Sequence, residues 1–571
     1  MGDDRGVTVI EALAAITLAL AACVPSSPPA APAPRRPDLR YVLELAEVAA
    51  PRLRITVELA AAADGTTTFD LDPWGRVEQP DEVFQNVTAT ADGRPVAVTH
   101  GAHAWVVHSA PRAELVLRYE VAAGGEPDRL ERRYYPLVRA HLVHLFGNNA
   151  LVSPHHLDDH RPKQIELRWA GFAAAGWTTL SSHGSAERAV VDLPLETFRD
   201  AEFLASDRVH VVRRQVGGAA LVVALVDAEW SFSADELADA IGKLMAAEAK
   251  LVGEPFPPSF LIDLVPFRVD GSWEGAALHH AVIAQADPKA TLVAHGKRPL
   301  ALAWMFAHEL FHTWTGGTIA PAVEDGEKWF TEGFTNFYAR RVMVRAGLAT
   351  LDDYVASLDA TLEEYTTSPV RTAPEPAYAL ADERQRALAY ARGDLLALAV
   401  DAEIQRASAG TRGLDDVMRE LVADAHAGGK IDAAKLLARF ARETSPDFVA
   451  KLRGVIERGE LVTIDPASYA PCLRGALREV VPFELGFDFA ASVTAKRVVG
   501  LRAGSAAAAA GLLEGDELAG WSFVGHEVDQ TVVIKVRRAG GVRAVAYGPK
   551  GPAVSVLGFR IDDASACATR L

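Results

Sequence analysis

The segment His308-Glu309-Leu310-Phe311-His312 constrains this chain more than any other feature of its sequence. Positions i and i+4 of an α-helix lie one above the other, so His308 and His312 would direct two imidazoles at one point, with Glu309 beside them. The neighbouring residues are apolar, and a buried helix carries two histidines and a glutamate in its middle only when partners or a metal satisfy them. The pattern predicts a metal site with a general base next to it.

A third metal ligand follows on the next predicted helix. This helix begins near Glu327 and carries Glu332, whose carboxylate would complete the three-ligand set that zinc uses when its fourth position is left for water. The donor set therefore predicts Zn²⁺ as the cofactor. Asn336 lies one turn after Glu332 and could orient a ligand histidine, although an ordinary polar helix position is an equally good interpretation.

The residues around this site resemble a known family. His-Glu-x-x-His-x-Trp at 308–314 and Trp-Phe-x-Glu-Gly-Phe-Thr at 329–335 are similar to the gluzincin metallopeptidases, and most similar to the glycyl aminopeptidase family, peptidase family M61. Residues 390–393 (Tyr-Ala-Arg-Gly) and 414–419 (Leu-Asp-Asp-Val-Met-Arg) resemble further segments of that family. The resemblance implies a peptide hydrolase in which Tyr390 donates a hydrogen bond to the tetrahedral oxyanion. Glu309 would be the general base that takes the proton of the attacking water.

One segment departs from the family pattern. The family's Gly-Gly-Leu-Glu-His, whose carboxylate is thought to hold the free amino group of the substrate, corresponds here to Gly-Ala-Ala-Leu-His-His at 275–280, with His279 in the place of the glutamate. An imidazole does not neutralise an ammonium as a carboxylate does. We therefore expect an M61-like aminopeptidase with an altered substrate-binding residue at His279. Two alternatives stay open: a zinc endopeptidase with an open groove, and a noncatalytic peptide-binding lipoprotein with a structural zinc.

The rest of the sequence predicts a multidomain α+β protein. A chain of 571 residues, 49% of them hydrophobic, can bury several cores. Alternating apolar residues over 39–206 predict a β-rich N-terminal domain. Residues 207–465 contain a capping box at Ser233 and successive amphipathic helices, which predict a mainly α-helical domain. The resemblance to the gluzincin metallopeptidases implies that this domain is a thermolysin-like zinc peptidase domain.

Residues 471–563 resemble a PDZ domain. The segments 484–487 (Glu-Leu-Gly-Phe) and 514–518 (Glu-Gly-Asp-Glu-Leu) are similar to the carboxylate-binding loop and the Gly-Asp turn of that fold. A PDZ groove binds an extended peptide as an additional strand, so a peptide ligand is a possible partner besides the peptide substrate. A purely structural cap on the catalytic domain is the alternative interpretation.

Residues 1–38 predict an exported bacterial protein. An apolar run at 12–22 ends in Leu-Ala-Ala-Cys, which resembles a bacterial lipoprotein signal with Cys23 as the lipidated residue, and a Pro-rich linker follows. The expected location is the periplasm or the outer membrane, with the membrane as a partner through the lipid anchor. Acidic residues outnumber basic ones before the apolar run, which is unusual for such a signal, so a plain cleaved signal or a short membrane anchor stays open.

The cysteines and the net charge bear on two further properties, a disulfide and nucleic-acid binding. Cys472 and Cys567 stand near the two ends of the last predicted domain and could form a disulfide in an exported protein, with two unpaired thiols as the alternative. The formal net charge of −17 disfavours nucleic-acid binding, because neutralising phosphates requires clustered Lys and Arg.

Overall fold

The described part of the chain covers most residues after position 35. The computed structural model describes residues 36–47, 52–71, 74, 83–101, 103–121, 134–267, 273–294, 302–323, 326–375, 383–525 and 527–571. The predicted lipidation residue Cys23 lies outside these residues. Within them, no helix has both the length and the apolar character that crossing a bilayer requires.

Strands dominate the N-terminal third, as the alternation of apolar residues predicts. Its elements are β1 (Leu39–Glu47), β2 (Arg52–Ala60), β3 (Thr66–Asp70), β4 (Phe84–Ala91), β5 (Arg94–Val96), β6 (Val98–His100), β7 (Ala104–His108), β8 (Glu114–Val121), β9 (Leu137–Arg139), β10 (Leu142–Phe146), α1 (Gly147–Ala150), β11 (Ser153–Pro154), β12 (Lys163–Ala170), β13 (Thr178–Ser181), β14 (Arg188–Leu193), α2 (Leu195–Arg199) and β15 (Glu202–Ser206). They form three sheets, in the orders β14-β12-β1-β2-β8-β4-β5, β13-β15-β10-β9 and β11-β3-β7-β6. Alternate residues of β1, such as Leu39, Tyr41 and Leu43, are fully buried in one shared core.

The central part combines one sheet with most of the helices. Its elements are β16 (Val209–Val216), β17 (Ala219–Val226), α3 (Ala234–Val252), β18 (Ser259–Pro266), β19 (Trp273–Leu278), β20 (Ala281–Ala286), α4 (Leu302–Phe311), α5 (Lys328–Thr331), α6 (Gly333–Arg345), α7 (Leu351–Thr367), α8 (Glu383–Ala407), α9 (Leu414–His426), α10 (Ala433–Phe440) and α11 (Pro446–Arg458). The capping box predicted at Ser233 is confirmed, since its hydroxyl accepts from the backbone N–H of Glu236 and that carboxylate accepts from the N–H of Ser233.

The sheet of the central part is covered on both faces. Its order is β16-β17-β18-β20-β19, and β19 pairs antiparallel with β20 at the edge. One face packs against α3 and α4 in the large helical core. The other face packs against β9, β10, β13 and β15 through a smaller apolar cluster that includes Leu204, Leu261 and Ile283. This sheet therefore joins the N-terminal third to the helices.

The last hundred residues contribute to two cores. One part encloses a small core of its own, and the other part is a pair of antiparallel strands that packs on the helical core. Their elements are β21 (Leu473–Val480), α12 (Phe489–Ala495), α13 (Ala506–Ala509), β22 (Glu517–Ser522), β23 (Val532–Arg538), β24 (Gly541–Tyr547), β25 (Val554–Ile561) and α14 (Ala564–Arg570). The sheet β22-β23-β24 encloses its own apolar cluster. In contrast, β21 pairs with β25, and their side chains Leu473, Val480 and Phe559 belong to the core that the helices share.

Two features fix the chain end to the helical core. Cys472 and Cys567 form a disulfide, so the structure contains the paired alternative. The backbone carbonyl of Leu571 accepts hydrogen bonds from the guanidinium groups of Arg341 and Arg345 at 3.2 and 2.7 Å. Both arginines lie on α6, the helix that follows the predicted metal ligand Glu332. The C-terminus is thereby attached close to the elements that form the site.

Candidate active site

Helix α4 places the two histidines as the sequence predicts. His308 and His312 are largely buried, and their Nε2 atoms lie 3.1 Å apart. The Nδ1 of His308 bonds Asn336 Oδ1 at 2.9 Å, and the Nδ1 of His312 bonds the carbonyl of Thr315 at 2.9 Å. A carbonyl oxygen only accepts, so Nδ1 of each ring donates, and Nε2 is the ring atom left for a metal. The structure thus contains the contact between Asn336 and a histidine that an orienting role requires.

Glu332 occupies a one-residue break between α5 and α6. Its Oε2 lies 3.4 Å from Nε2 of His308 and 3.3 Å from Nε2 of His312. Its other oxygen, Oε1, lies 3.3 Å from Lys328 Nζ, one helical turn earlier. Lys328 therefore takes one carboxylate oxygen and leaves the other facing the two imidazoles.

The three donor atoms fit a tetrahedral cation. Ligand bonds of about 2.0–2.1 Å in tetrahedral geometry separate neighbouring ligand atoms by about 3.3 Å, which matches the distances of 3.1, 3.4 and 3.3 Å found here. Burial lowers the pKa of His312, but the Glu332 carboxylate outweighs burial and raises that pKa to about 9. The negative charge of Glu332 that favours a proton on the imidazole also favours a metal cation between these side chains.

Glu309 projects from α4 beside the ligands and contacts the edge strand of the sheet. A Cβ atom built on Gly275 of β19 would lie 2.8 Å from Cγ of Glu309 and 2.5 Å from Sδ of Met305. Only a glycine therefore allows the strand to pass this close to the helix. The close approach brings the edge of the sheet alongside the expected general base.

Tyr390 lies across the site on α8. Its ring stacks on the imidazole of His308 with a centroid distance of 5.9 Å and an angle of 22° between the planes. Two glycines make this position possible, because a Cβ on Gly393 would meet the Trp329 carbonyl oxygen at 1.9 Å and Cα of Gly333 at 2.8 Å. Helices α8 and α6 therefore cross with their backbones in contact. The contact is at Gly333 on α6, one residue after Glu332, and at Gly393 on α8, three residues after Tyr390.

His279 lies away from the ligands. It stands in the two-residue turn between β19 and β20, where its backbone N–H donates to Asp200 and its ring stacks on His280 at 3.9 Å. His279 is four positions after Gly275, a distance of about 13 Å for extended chain. Burial, followed by the neighbouring imidazoles of His280 and His183, lowers the pKa of His279 to about 4, so its ring is neutral at neutral pH.

The face of β19 directed at the site follows from strand alternation. Gly275 meets Glu309, so Trp273 and Ala277 share that face, and Trp273 packs on the helical core accordingly. Ala276 and Leu278 pack on the opposite face, against the N-terminal sheet. Ala277 therefore lies on the face of β19 directed at Glu309, whereas His279 lies in the turn beyond the end of the strand.

A cavity opens beside the metal-ligand residues. Its volume is about 370 Å³, and its lining includes His312, Glu332, Lys328 and Lys430. The space is of the size that small peptide side chains require, and two lysines contribute positive charge to its wall.

The structure adds site residues that sequence reasoning missed. The Thr315 carbonyl and Lys328 both hold metal-ligand side chains, and Gly275 admits the edge strand. The spacing of Lys328 and Glu332 at i and i+4 was a readable signal for their contact. No sequence signal marks the Thr315 carbonyl, because any residue type offers that acceptor.

Fold and site together define a metallopeptidase. The chain carries His308, His312 and Glu332, which could hold a metal ion, with Glu309 beside them on a sheet-and-helix scaffold. Residues 301–393 match the family model described as M61 glycyl aminopeptidase. The resemblance to that family is therefore confirmed over the segment that carries the site, and the protein is a peptidase.

Solved structures support the fold. An aminopeptidase N family protein from Idiomarina loihiensis superposes with a TM-score of 0.74 at 15% identity, covering 92% of this chain and 99% of that one. The M1 zinc metallopeptidase from Deinococcus radiodurans gives a TM-score of 0.49 at 16% identity, covering 74% of this chain and 94% of that one. No curated protein matches the sequence. The multidomain architecture is thus shared with an aminopeptidase family protein over nearly the whole chain.

Proposed function

We propose that the protein is a zinc peptidase of the M61 type that does not require a free amino terminus on its substrate. The observation that carries the proposal is the set of three donor atoms at tetrahedral spacing with Glu309 beside them. His308, His312 and Glu332 would hold Zn²⁺, which supplies a Lewis acid that polarises the scissile carbonyl and makes water acidic near neutral pH. A structural metal site has no need of the adjacent base.

The protein's own residues then move the proton and hold the charge. Glu309 accepts a proton from the attacking water and transfers it to the leaving nitrogen of the peptide bond. The hydroxyl of Tyr390 donates a hydrogen bond to the oxyanion as it develops. Asn336 and the Thr315 carbonyl keep the two imidazoles in the tautomer and orientation that ligation requires.

Substrate specificity depends on β19. This strand is the edge of its sheet, so an extended peptide can pair with it and pass Glu309. On the face of β19 directed at the site, Trp273, Gly275 and Ala277 supply no carboxylate to neutralise an ammonium. Glu274 lies on the other face of β19, where it is paired with Gln285 of β20. We therefore place the altered amine-binding position at Ala277.

The remaining parts of the chain extend this proposal. We infer the division into an N-terminal β domain (39–206), a thermolysin-like catalytic domain (207–465) and a PDZ domain (471–563) that binds a peptide end. We also infer export, with lipidation of Cys23 holding the enzyme at a membrane surface of the periplasm or outer membrane. Mass spectrometry of the mature N-terminus would find an acylated Cys23; an unmodified terminus beyond Cys23 would instead indicate a plain cleaved signal.

The test is hydrolysis of a mixed peptide library by the zinc-loaded protein, with Glu309→Gln as the matched control. The wild type should release products, and the variant should lose activity by orders of magnitude at unchanged zinc content, because it retains the ligands and loses the base. The termini of the products distinguish the removal of single N-terminal residues from cleavage inside the peptide. Turnover by Glu309→Gln equal to the wild type would contradict the proposed chemistry.

A further inference from the structure

A second cluster of potential metal ligands lies where the N-terminal third meets the catalytic sheet. His144 on β10, Glu202 on β15 and Asp263 on β18 are each 0% exposed. Strands β10 and β15 are neighbours in one sheet, and β18 is the central strand of the other. The surrounding side chains are apolar, among them Phe146, whose ring lies 5.5 Å from that of His144.

The polar atoms of this cluster lie close together, and most of them lack a hydrogen-bond partner in the part of the chain that the structure describes. Nε2 of His144 is 3.1 Å from Asp263 Oδ2 and 3.6 Å from Glu202 Oε1. Within the described residues, neither ring nitrogen of His144, neither oxygen of Glu202 and not Asp263 Oδ2 has a hydrogen-bond partner. Five buried polar atoms without partners at one place are unusual, because such atoms are nearly always satisfied by protein or a ligand.

The distances resemble those of the catalytic site. In the catalytic site, the three ligand atoms are 3.1 to 3.4 Å apart. In the second cluster, one ligand atom from each of His144, Glu202 and Asp263 lies within 4.8 Å of the other two. A tetrahedral cation would require spacings of about 3.3 Å. The second oxygen of Asp263 accepts from the Ala284 backbone N–H at 3.2 Å, which fixes the carboxylate and leaves Oδ2 directed at His144.

A cation would also balance the charge of the cluster. Two ionised carboxylates buried in an apolar layer repel each other unless a positive charge lies between them. A divalent cation balances the two negative charges and satisfies the unpartnered atoms at the same time.

We propose that His144, Glu202 and Asp263 bind a second divalent transition-metal cation that joins the N-terminal β-sheet to the catalytic sheet. One imidazole and two carboxylates suit Zn²⁺ or Mn²⁺. Gln285 on β20 lies on the same face of the sheet as Asp263, and neither polar atom of its buried amide has a partner among the described residues, so its oxygen is a candidate for a fourth ligand. The role of this metal is structural, because the cluster is fully buried between two sheets.

The experiment counts metal ions in the full chain after removal of the catalytic site. The double variant His308→Ala/His312→Ala, purified from medium supplemented with Zn²⁺ or Mn²⁺, should retain about one ion per chain, and the wild type about two. X-ray absorption at the metal edge of the double variant should show one imidazole with oxygen ligands. A double variant that contains no metal would overturn the proposal and identify a carboxyl–imidazole cluster that shares protons.

Further variants assign the remaining ion to the cluster. Adding Glu202→Gln and Asp263→Asn to the double variant should remove it and lower the melting temperature. The matched control is Glu248→Gln on α3, since Glu248 is also fully buried, has no hydrogen-bond partner within the described ranges and lies outside the cluster. This control should keep the ion. If the added variants fail to fold, the metal content and absorption spectrum of the double variant still decide the question.

Discussion

At the scale of single residues, the proposed catalytic role of Tyr390 is the one that depends most strongly on the position of the side chain. Its ring stacks on His308, so Tyr390→Phe retains the packing and removes only the hydroxyl. We expect kcat to fall by roughly 10²–10³ with little change in KM, since the hydroxyl acts on charge that develops in the transition state.

A second tyrosine provides the control for that measurement. Tyr338 on α6 stacks on Phe311 of α4 at 4.6 Å, and its buried hydroxyl has no hydrogen-bond partner among the residues that the structure describes. Tyr338→Phe should leave kcat unchanged. A loss confined to KM in Tyr390→Phe would place the tyrosine in ground-state binding instead.

Specificity is also decided by single residues, on the edge strand β19. The wild type should cleave a peptide and its N-acetylated form with similar kcat/KM, because the site-facing positions of β19 contain no carboxylate. Ala277→Glu should introduce a preference for the free amine by placing a negative charge on the face directed at Glu309.

His279→Glu is the matched comparison for Ala277→Glu. It adds the same carboxylate at the turn, about 13 Å along the strand from Gly275, and should not change the ratio of free to acetylated turnover. A strong wild-type preference for the free amine would return the protein to strict aminopeptidase activity. A preference created only by His279→Glu would restore the assignment drawn from the sequence.

At the scale of elements, the crossing of α6 and α8 determines where Tyr390 lies. Gly393→Ala would place a methyl group against the Trp329 carbonyl oxygen and Gly333. We expect a loss of stability of roughly 1–3 kcal/mol in denaturant unfolding together with reduced activity, since α8 must move away from α6.

The same substitution in an open position separates crowding from helix propensity. Gly242 on α3 has room, because a Cβ there would meet only Val216 Cγ2 at an ordinary 3.5 Å. Gly242→Ala should raise stability by up to about 1 kcal/mol. Equal effects at Gly393 and Gly242 would contradict the close crossing.

At the scale of the whole molecule, the disulfide connects the start and end of the C-terminal part to the helical core. Cys472 and Cys567 are 95 positions apart, so the bond closes a long loop in the unfolded chain. Replacing both by serine should lower the free energy of unfolding by roughly 2–4 kcal/mol under oxidising conditions. The variant and the wild type should become equally stable in reductant; a difference that persists there would mean that packing at these residues, and not the bond, is responsible.

The sequence by itself predicted the ligand set and the base, and it determined most of the elements around them. Histidines at i and i+4 lie on one face of a helix, and the capping box and apolar alternation are local signals. These depend on residues near each other in the chain, so they can be read without a structure.

Tertiary structure alone decided which residues face the site and what else the fold brings together. His279 resembles a family position by its place in the sequence, but it lies in the turn after β19, whereas the contact of Gly275 with Glu309 puts Ala277 on the strand face directed at the site. His144, Glu202 and Asp263 are separated by dozens of residues and meet only because two sheets pack face to face. Long-range packing of this kind leaves no local pattern, because the residues that meet come from distant elements.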